Sequence, residues 1–318
     1  MDLDFRQVVI WGYRIRTLVG AKSPHTHAWI HNGFYRGFSR LGYRVLWFDD
    51  EDIIDGIDFS KSLFITMGDE ENKGMPIRDD SYYILHNCTL GKFIERGLPN
   101  DRYMKLQVYT HDCKERNLKI VFPDDKYQLY NPVDKILYFP WATDIFPEDI
   151  ARNIKKIRTL PRPPIVNFVG MVLKEWYMFR SQCQRLGLKF TIIGGFDHKK
   201  ASVDDNIKLI QKSYMAPAVQ NRFQVENGYI PCRIFKNISY GQFGMTNSAT
   251  VNDYFFNELV YAPNVRELCV KGYNIVKNEQ IDYDKLERHM RYVAKNHTYL
   301  NRCKTLLDIF EKIINTKT

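Results

Sequence analysis

Residues 164–195 read "PIVNFVGMVLKEWYMFRSQCQRLGLKFTIIGG". A short apolar run, Pro164 to Gly170, ends on a glycine; a helical pattern, "KEWYMFRSQCQRLG", follows; a second apolar run, Lys189 to Gly195, closes on two glycines. Runs this short, separated by one helix, read as parallel strands joined by a crossover. The predicted fold class is α/β, with ligand sites at the carboxyl ends of the strands.

Outward from this unit the same alternation recurs. Toward the N-terminus, strands are predicted at Gln7–Gly12, Arg44–Asp49, Ser62–Met67, Tyr82–Asn87, Leu106–His111 and Lys135–Pro140, with polar turns between them. These make one doubly wound, Rossmann-like domain over residues 1–150. "ARNIKKIRTLPRPP" (151–164) is basic and ends in closely spaced prolines, which predicts a linker. A second domain of the same class is expected over 165–280. A basic amphipathic pattern from Tyr283 to Ile314, within a helical segment 281–318, predicts a long helix packed back on the body. Two domains suit 318 residues, since single cores usually split beyond about 250–300. Facing domains of this class imply a cleft with the ligands in it.

Composition narrows the function. With 44% hydrophobic and 26% charged residues the chain is that of an ordered globular protein. The start carries acids before its apolar run, and no run approaches the ~20 apolar residues of a membrane span, so a cytoplasmic location is expected. The six cysteines are scattered without a CxxC pair, which argues against a zinc ribbon or a redox motif. A formal charge of +9 favours an anionic partner: phosphates on a small ligand, nucleic acid, or peripheral contact with an anionic membrane surface. Neither GxGxxG nor GxxxxGK[ST] occurs, so an ordinary dehydrogenase or P-loop ATPase is disfavoured.

The most informative segment is Gly228–Ser248. Gly228 to Gly241 reads as a helix with Pro231 in its first turn and Gly241 ending it. At 100° per residue, Arg233, Lys236 and Asn237 share one arc, and Cys232, Phe235, Ile238 and Ser239 the opposite one. Cations beside free helix-start amides suit a diphosphate, although a solvated basic face gives the same pattern. Thr246, Asn247 and Ser248 in the next loop add donors for phosphate or ribose, or simply make a turn.

"NGYIPCRIFKNISYGQFGMTNS" resembles the donor-site stretch of GT-B glycosyltransferases, in the manner of the exostosin-like and fucosyltransferase-like families. "HTHAWIHNGFYRGFSRLGYRVLWFDD" resembles their first βα unit, "PWATDIFPEDI" the crossover, and "PIVNFVGMVLKEW" the opening of the donor domain. The resemblance implies two Rossmann-like domains and transfer of a hexose or pentose from a UDP- or GDP-sugar to a hydroxyl of a glycan or glycoprotein. It implies no cofactor and no bound metal. It places Arg233 and Lys236 on the leaving diphosphate, Gly170 where backbone approaches the phosphates, Lys174 beside them, and Asp197 on ribose or base.

"SPHTHAWIHNGFYRGF" (Ser23–Phe38) gathers three of the chain's eight histidines. Ser23 caps a helix with Pro24 in first place, Ile30, Phe34, Phe38 and Leu41 form its apolar stripe, His27 falls inside the stripe and His31 at its edge. His27 and His31 have the i, i+4 spacing of a zinc pair, but the acid of HExxH and a third ligand are missing. Two roles stay open for His27: a packed fastener, or the base that takes a proton from a sugar hydroxyl. His25, Asp69, Glu70 and His86 compete for the second role, with Asp69 foremost. The rivals to transfer are a nucleic-acid-binding protein, disfavoured because no known nucleic-acid motif is present, and an inactive nucleotide- or sugar-binding module.

Overall fold

The computed structural model describes residues 5–14, 26–109, 119–120, 129–138, 140–170, 172, 174–194 and 203–315. They form two compact units, one of residues Met1–Pro140 with Tyr299–Thr318, the other of Trp141–Thr298.

The first unit opens with strand β1 (Gln7–Trp11), helix α1 (Thr26–Arg40) and strands β2 (Arg44–Phe48), β3 (Ser62–Met67) and β4 (Tyr82–His86). Helix α2 (Leu90–Glu95) and strands β5 (Tyr103–Gln107), β6 (Lys119–Ile120), β7 (Leu129–Asn131) and β8 (Ile136–Tyr138) follow. The sheet order is β2-β1-β3-β4-β5-β8-β7-β6, parallel as far as β8 and antiparallel beyond. β1, β3 and β4 are buried along their whole length, which is why they read as unbroken apolar runs. Their side chains join Phe59, Met75, Phe93 and Leu98 in one core, with Phe64 stacked on Tyr83 at 5.2 Å between ring centres. The strand order reverses at β1, the place in an open α/β sheet where ligands bind.

The second unit begins with helix α3 (Pro147–Ile154), a 3-10 turn at Ile157–Thr159, strand β9 (Ile165–Val169), helix α4 (Lys174–Arg185), strand β10 (Lys189–Ile193) and helix α5 (Val203–Gln211). It continues with α6 (Arg222–Glu226), α7 (Cys232–Ser239), β11 (Met245–Thr246), α8 (Ala249–Tyr254), β12 (Val260–Tyr261), α9 (Val265–Lys277) and α10 (Tyr283–Asn296). β9 pairs with β10, and β11 with β12, all in parallel. An extended segment links the two ribbons: Tyr214 N donates to Ile165 O, and Ala218 forms a parallel bridge with Thr246. Phe168, Trp176, Phe179, Met215, Met245 and Leu268 are at the centre of its core.

Two expectations change. The stretch 151–164 is no free linker: it lies inside the second unit, whose boundary falls at Pro140/Trp141, and its Ile157 is buried. The long C-terminal helix is two helices, α10 and then α11 (Tyr299–Asn315), and α11 belongs to the first unit. The break has a cause. Thr143 N donates to His297 O, Thr143 and Thr298 bridge in parallel, and the His297 ring stacks on Phe235 at 4.7 Å, so these two residues are anchored off the helical path.

α11 packs across α1 at its glycines. A Cβ on Gly33 would lie 2.4 Å from the Tyr299 ring, and one on Gly37 2.6 Å from Cys303 Sγ. Gly33→Ala is therefore expected to lower stability by about 1–3 kcal/mol through overpacking, against a helix-propensity gain of about 1 kcal/mol. Gly91→Ala, where an added Cβ meets nothing within 4 Å, should raise stability. Urea unfolding of the two variants checks the contrast.

Candidate functional site

The carboxyl edge of the second unit carries the cation that the sequence singled out. β9 ends at Gly170, whose φ of +131° is a conformation that side chains rarely adopt. α7 starts at Cys232 with Pro231 as its N-cap, a place where a missing N–H costs nothing. Arg233 projects from this first turn over the Phe168 ring, 4.4 Å from its centre, and lies 5.7 Å from that of Trp176. Its Nη1 donates to Val169 O at 2.6 Å, and its Nη2 is 2.8 Å from where a Cβ on Gly170 would stand. Burial pushes the guanidinium below its ordinary pKa range without discharging it. Among the described residues no carboxylate pairs with it.

Lys236, one turn on, has a different fate. Its Nζ lies 2.9 Å from Asp144 Oδ2, and Asp144 also accepts from the Tyr240 hydroxyl. Burial works against both charges, but their attraction prevails, holding Asp144 below the usual carboxylate range and Lys236 above the usual ammonium range. The expected basic pair is thus one uncompensated cation, Arg233, beside a neutralised one. Asn237, grouped with the cations on the helical wheel, is buried and donates to Ala216 O at 2.7 Å. A helix touched on several sides buries a wider arc than a single stripe.

The loop after β11 is already bonded internally. Asn247 accepts from Gln220 N at 2.8 Å and donates to Gln220 O at 2.9 Å; Ser248 caps α8 by accepting from Val251 N; Thr246 Oγ1 accepts from Ser248 N. All three are buried and serve as structural fasteners. Lys174 is exposed at the start of α4, and Asp197 lies outside the described residues.

In the first unit, the carboxyl edge of β1, β3 and β4 gathers Tyr13, His27, His86 and Cys88. Tyr13 has a left-handed φ of +53° and its N–H donates to Glu71 Oε2 at 2.6 Å. The His27 ring meets Tyr13 edge-on at 5.1 Å and His86 at 5.9 Å. A Cβ on Gly68 would lie 2.9 Å from the Tyr13 hydroxyl and 3.4 Å from His27 Nδ1, so only glycine leaves room for both rings. Burial pushes the Tyr13 phenol up to about 12, helped by Glu70 and Glu71, and the Cys88 thiol also to about 12. Burial lowers His86 to about 4, and its Nδ1 donates to Leu106 O, so the ring is neutral at physiological pH.

The histidine pair reverses the wheel reading. His31 is fully buried and its Nδ1 donates to Gly12 O at 2.7 Å, tying α1 to the end of β1, whereas His27 is half-buried. The caps expected at Ser23 and Pro24, and His25, lie outside the described residues. Asp69 accepts from Thr89 N and Oγ1 at the start of α2 and pairs with Lys92. Burial raises its carboxyl, but the bonds from Thr89 and Lys92 outweigh that and leave it below the ordinary range, which makes it a weak base. Among the described residues no group of three or more His, Cys, Asp or Glu could hold a metal ion, and no helix is long and apolar enough to cross a membrane. Asp144 and Gln220 were missed by sequence reading, since an acid before a turn and a glutamine after an apolar run carry no distinctive pattern.

A scan of the chain against protein-family models and a search of the curated proteins both find no match.

The Asp144–Lys236 pair makes a testable contribution. Asp144→Asn leaves a largely buried ammonium without its counter-charge, and a loss of about 2–3 kcal/mol is expected, between the costs for exposed and fully buried pairs. The sign with pH follows from the lowered Asp144 pKa. The wild-type pair stabilises fully above the ordinary value of 3.8, and the contribution fades as pH falls through the lower native value. Asp144→Asn should therefore lose stability at neutral pH and show a shallower decline in acid, measured by urea unfolding across pH.

Proposed function

We propose that the protein is a glycosyltransferase of GT-B type, moving a sugar from a nucleoside-diphosphate donor to a hydroxyl of a glycan or glycoconjugate. One observation carries this reading: the Arg233 guanidinium stands at the carboxyl edge of β9, oriented by Val169 O and the Phe168 ring and lacking a carboxylate partner among the described residues. A partly desolvated cation held by a carbonyl and an aromatic face is preorganised for an anion and needs no reorganisation to meet one. Gly170 beside it keeps the backbone bare where a diphosphate would lie.

In an inverting transfer, the bond between the anomeric carbon and the diphosphate oxygen breaks, and its electron pair leaves with the diphosphate. The acceptor oxygen bonds to that carbon and its proton passes to His27. Arg233 stabilises the charge growing on the leaving group, and Lys236 is engaged by Asp144 rather than by the ligand. A second reading, a nucleotide- or sugar-binding module without transfer, is favoured by one fact: Asp69, the other expected base, is committed to Thr89 and Lys92.

Thermal-shift titration with UDP, GDP, ADP and CDP, followed by transfer assays with the sugars of the stabilising nucleotide, tests both. Stabilisation by a diphosphate and a loss of about tenfold or more in affinity in Arg233→Ala are expected. His27→Asn should keep that affinity and lose transfer by about a hundredfold or more. No stabilisation by any diphosphate overturns the reading; binding without transfer in the wild type leaves the module.

A further inference from the structure

Gln220 ends the extended segment that bridges the two ribbons of the second unit, at the same edge as Gly170 and Asn247. It is 1% exposed. Its backbone is clamped in both directions by Asn247, and its Nε2 donates to Tyr229 O at 2.7 Å. Its Oε1 is buried and has no partner among the described residues.

The amide cannot be turned over, because that would set Oε1 against the Tyr229 carbonyl, two acceptors face to face. Gln220 Oε1 is therefore a fixed acceptor. A buried acceptor left dry is disfavoured, so whatever meets it presents an N–H or O–H. Tyr229 links this oxygen to the phosphate end of the site. Its carbonyl holds the Gln220 amide, and α7, whose first turn carries Arg233, begins just after it at Cys232.

We propose that Gln220 reads the nucleoside of the diphosphate ligand, its Oε1 accepting one hydrogen bond from a base N–H or a ribose hydroxyl while Arg233 holds the phosphates. This deepens the donor-site reading above and rests on it. The rule it sets is one of acceptance: a nucleoside with a donor at that point is bound, and one whose donor is deleted or methylated leaves the oxygen unsatisfied.

Calorimetric titration of the full chain with inorganic pyrophosphate and with UDP, GDP, ADP and CDP separates the two claims. Pyrophosphate reports Arg233 alone; the gain in affinity from pyrophosphate to the tightest of the four reports the nucleoside. Gln220→Met, similar in length and apolar, is expected to cut that gain by about tenfold or more with pyrophosphate affinity unchanged. A gain unchanged in the folded variant overturns the role of Gln220 and leaves the phosphate site standing. No binding of pyrophosphate or of any nucleotide by the wild type overturns both. The variant also loses the bond to Tyr229, so the wild-type chain is titrated in parallel with the base-N-methylated, 2′-deoxy and 3′-deoxy forms of the same diphosphate. One of these should bind about tenfold more weakly, and equal affinity for all of them overturns the proposal.

Discussion

A guanidinium drawn half out of water, with an aromatic face beneath it and a carbonyl in front, sets the terms for the second unit. Arg233 keeps its charge because no plausible shift discharges a guanidinium, and it is aimed because Val169 O and Phe168 fix its plane. Everything nearby accommodates that. Gly170 stays bare, Pro231 starts the helix without an amide to satisfy, and the neighbouring Lys236 is matched by Asp144, so that two like charges do not stand uncompensated on one turn.

The central fold was legible because parallel strands buried on both faces have no choice but to be apolar throughout. β1, β3 and β4 fall where their runs begin, and so do β9 and the half-buried β10. β5 does not. It spans Tyr103–Gln107, where alternation of half-buried and buried residues makes a weaker pattern than the run Leu106–His111. The C-terminal pattern misled for another reason. Periodicity persists across His297 and Thr298, but both residues are held by tertiary partners, Phe235 and Thr143, far away in sequence.

The site was legible in part, and along a clear line. Residues whose role comes from the backbone, Gly170 and the helix start at Pro231, announce themselves, since glycine and proline mean something specific wherever they occur. Residues whose role comes from a partner do not. Lys236 looks like Arg233 until Asp144 is beside it, Asp69 looks like a base until Thr89 and Lys92 are seen to hold it, and Asn247 looks like a ligand donor until both of its amide groups are found on Gln220.

The placement of α11 has a consequence in time as well as in space. The first unit closes its α1 surface with Tyr299 and Cys303, residues that a ribosome makes only after the whole of the second unit. The unit encoded first is thus the unit finished last. Its sheet emerges with the Gly33–Gly37 face of α1 uncovered and stays so until synthesis reaches residue 303, while the intervening unit, continuous in sequence, is free to fold at once. The order in which the units begin and the order in which their residues are complete run opposite ways in this molecule.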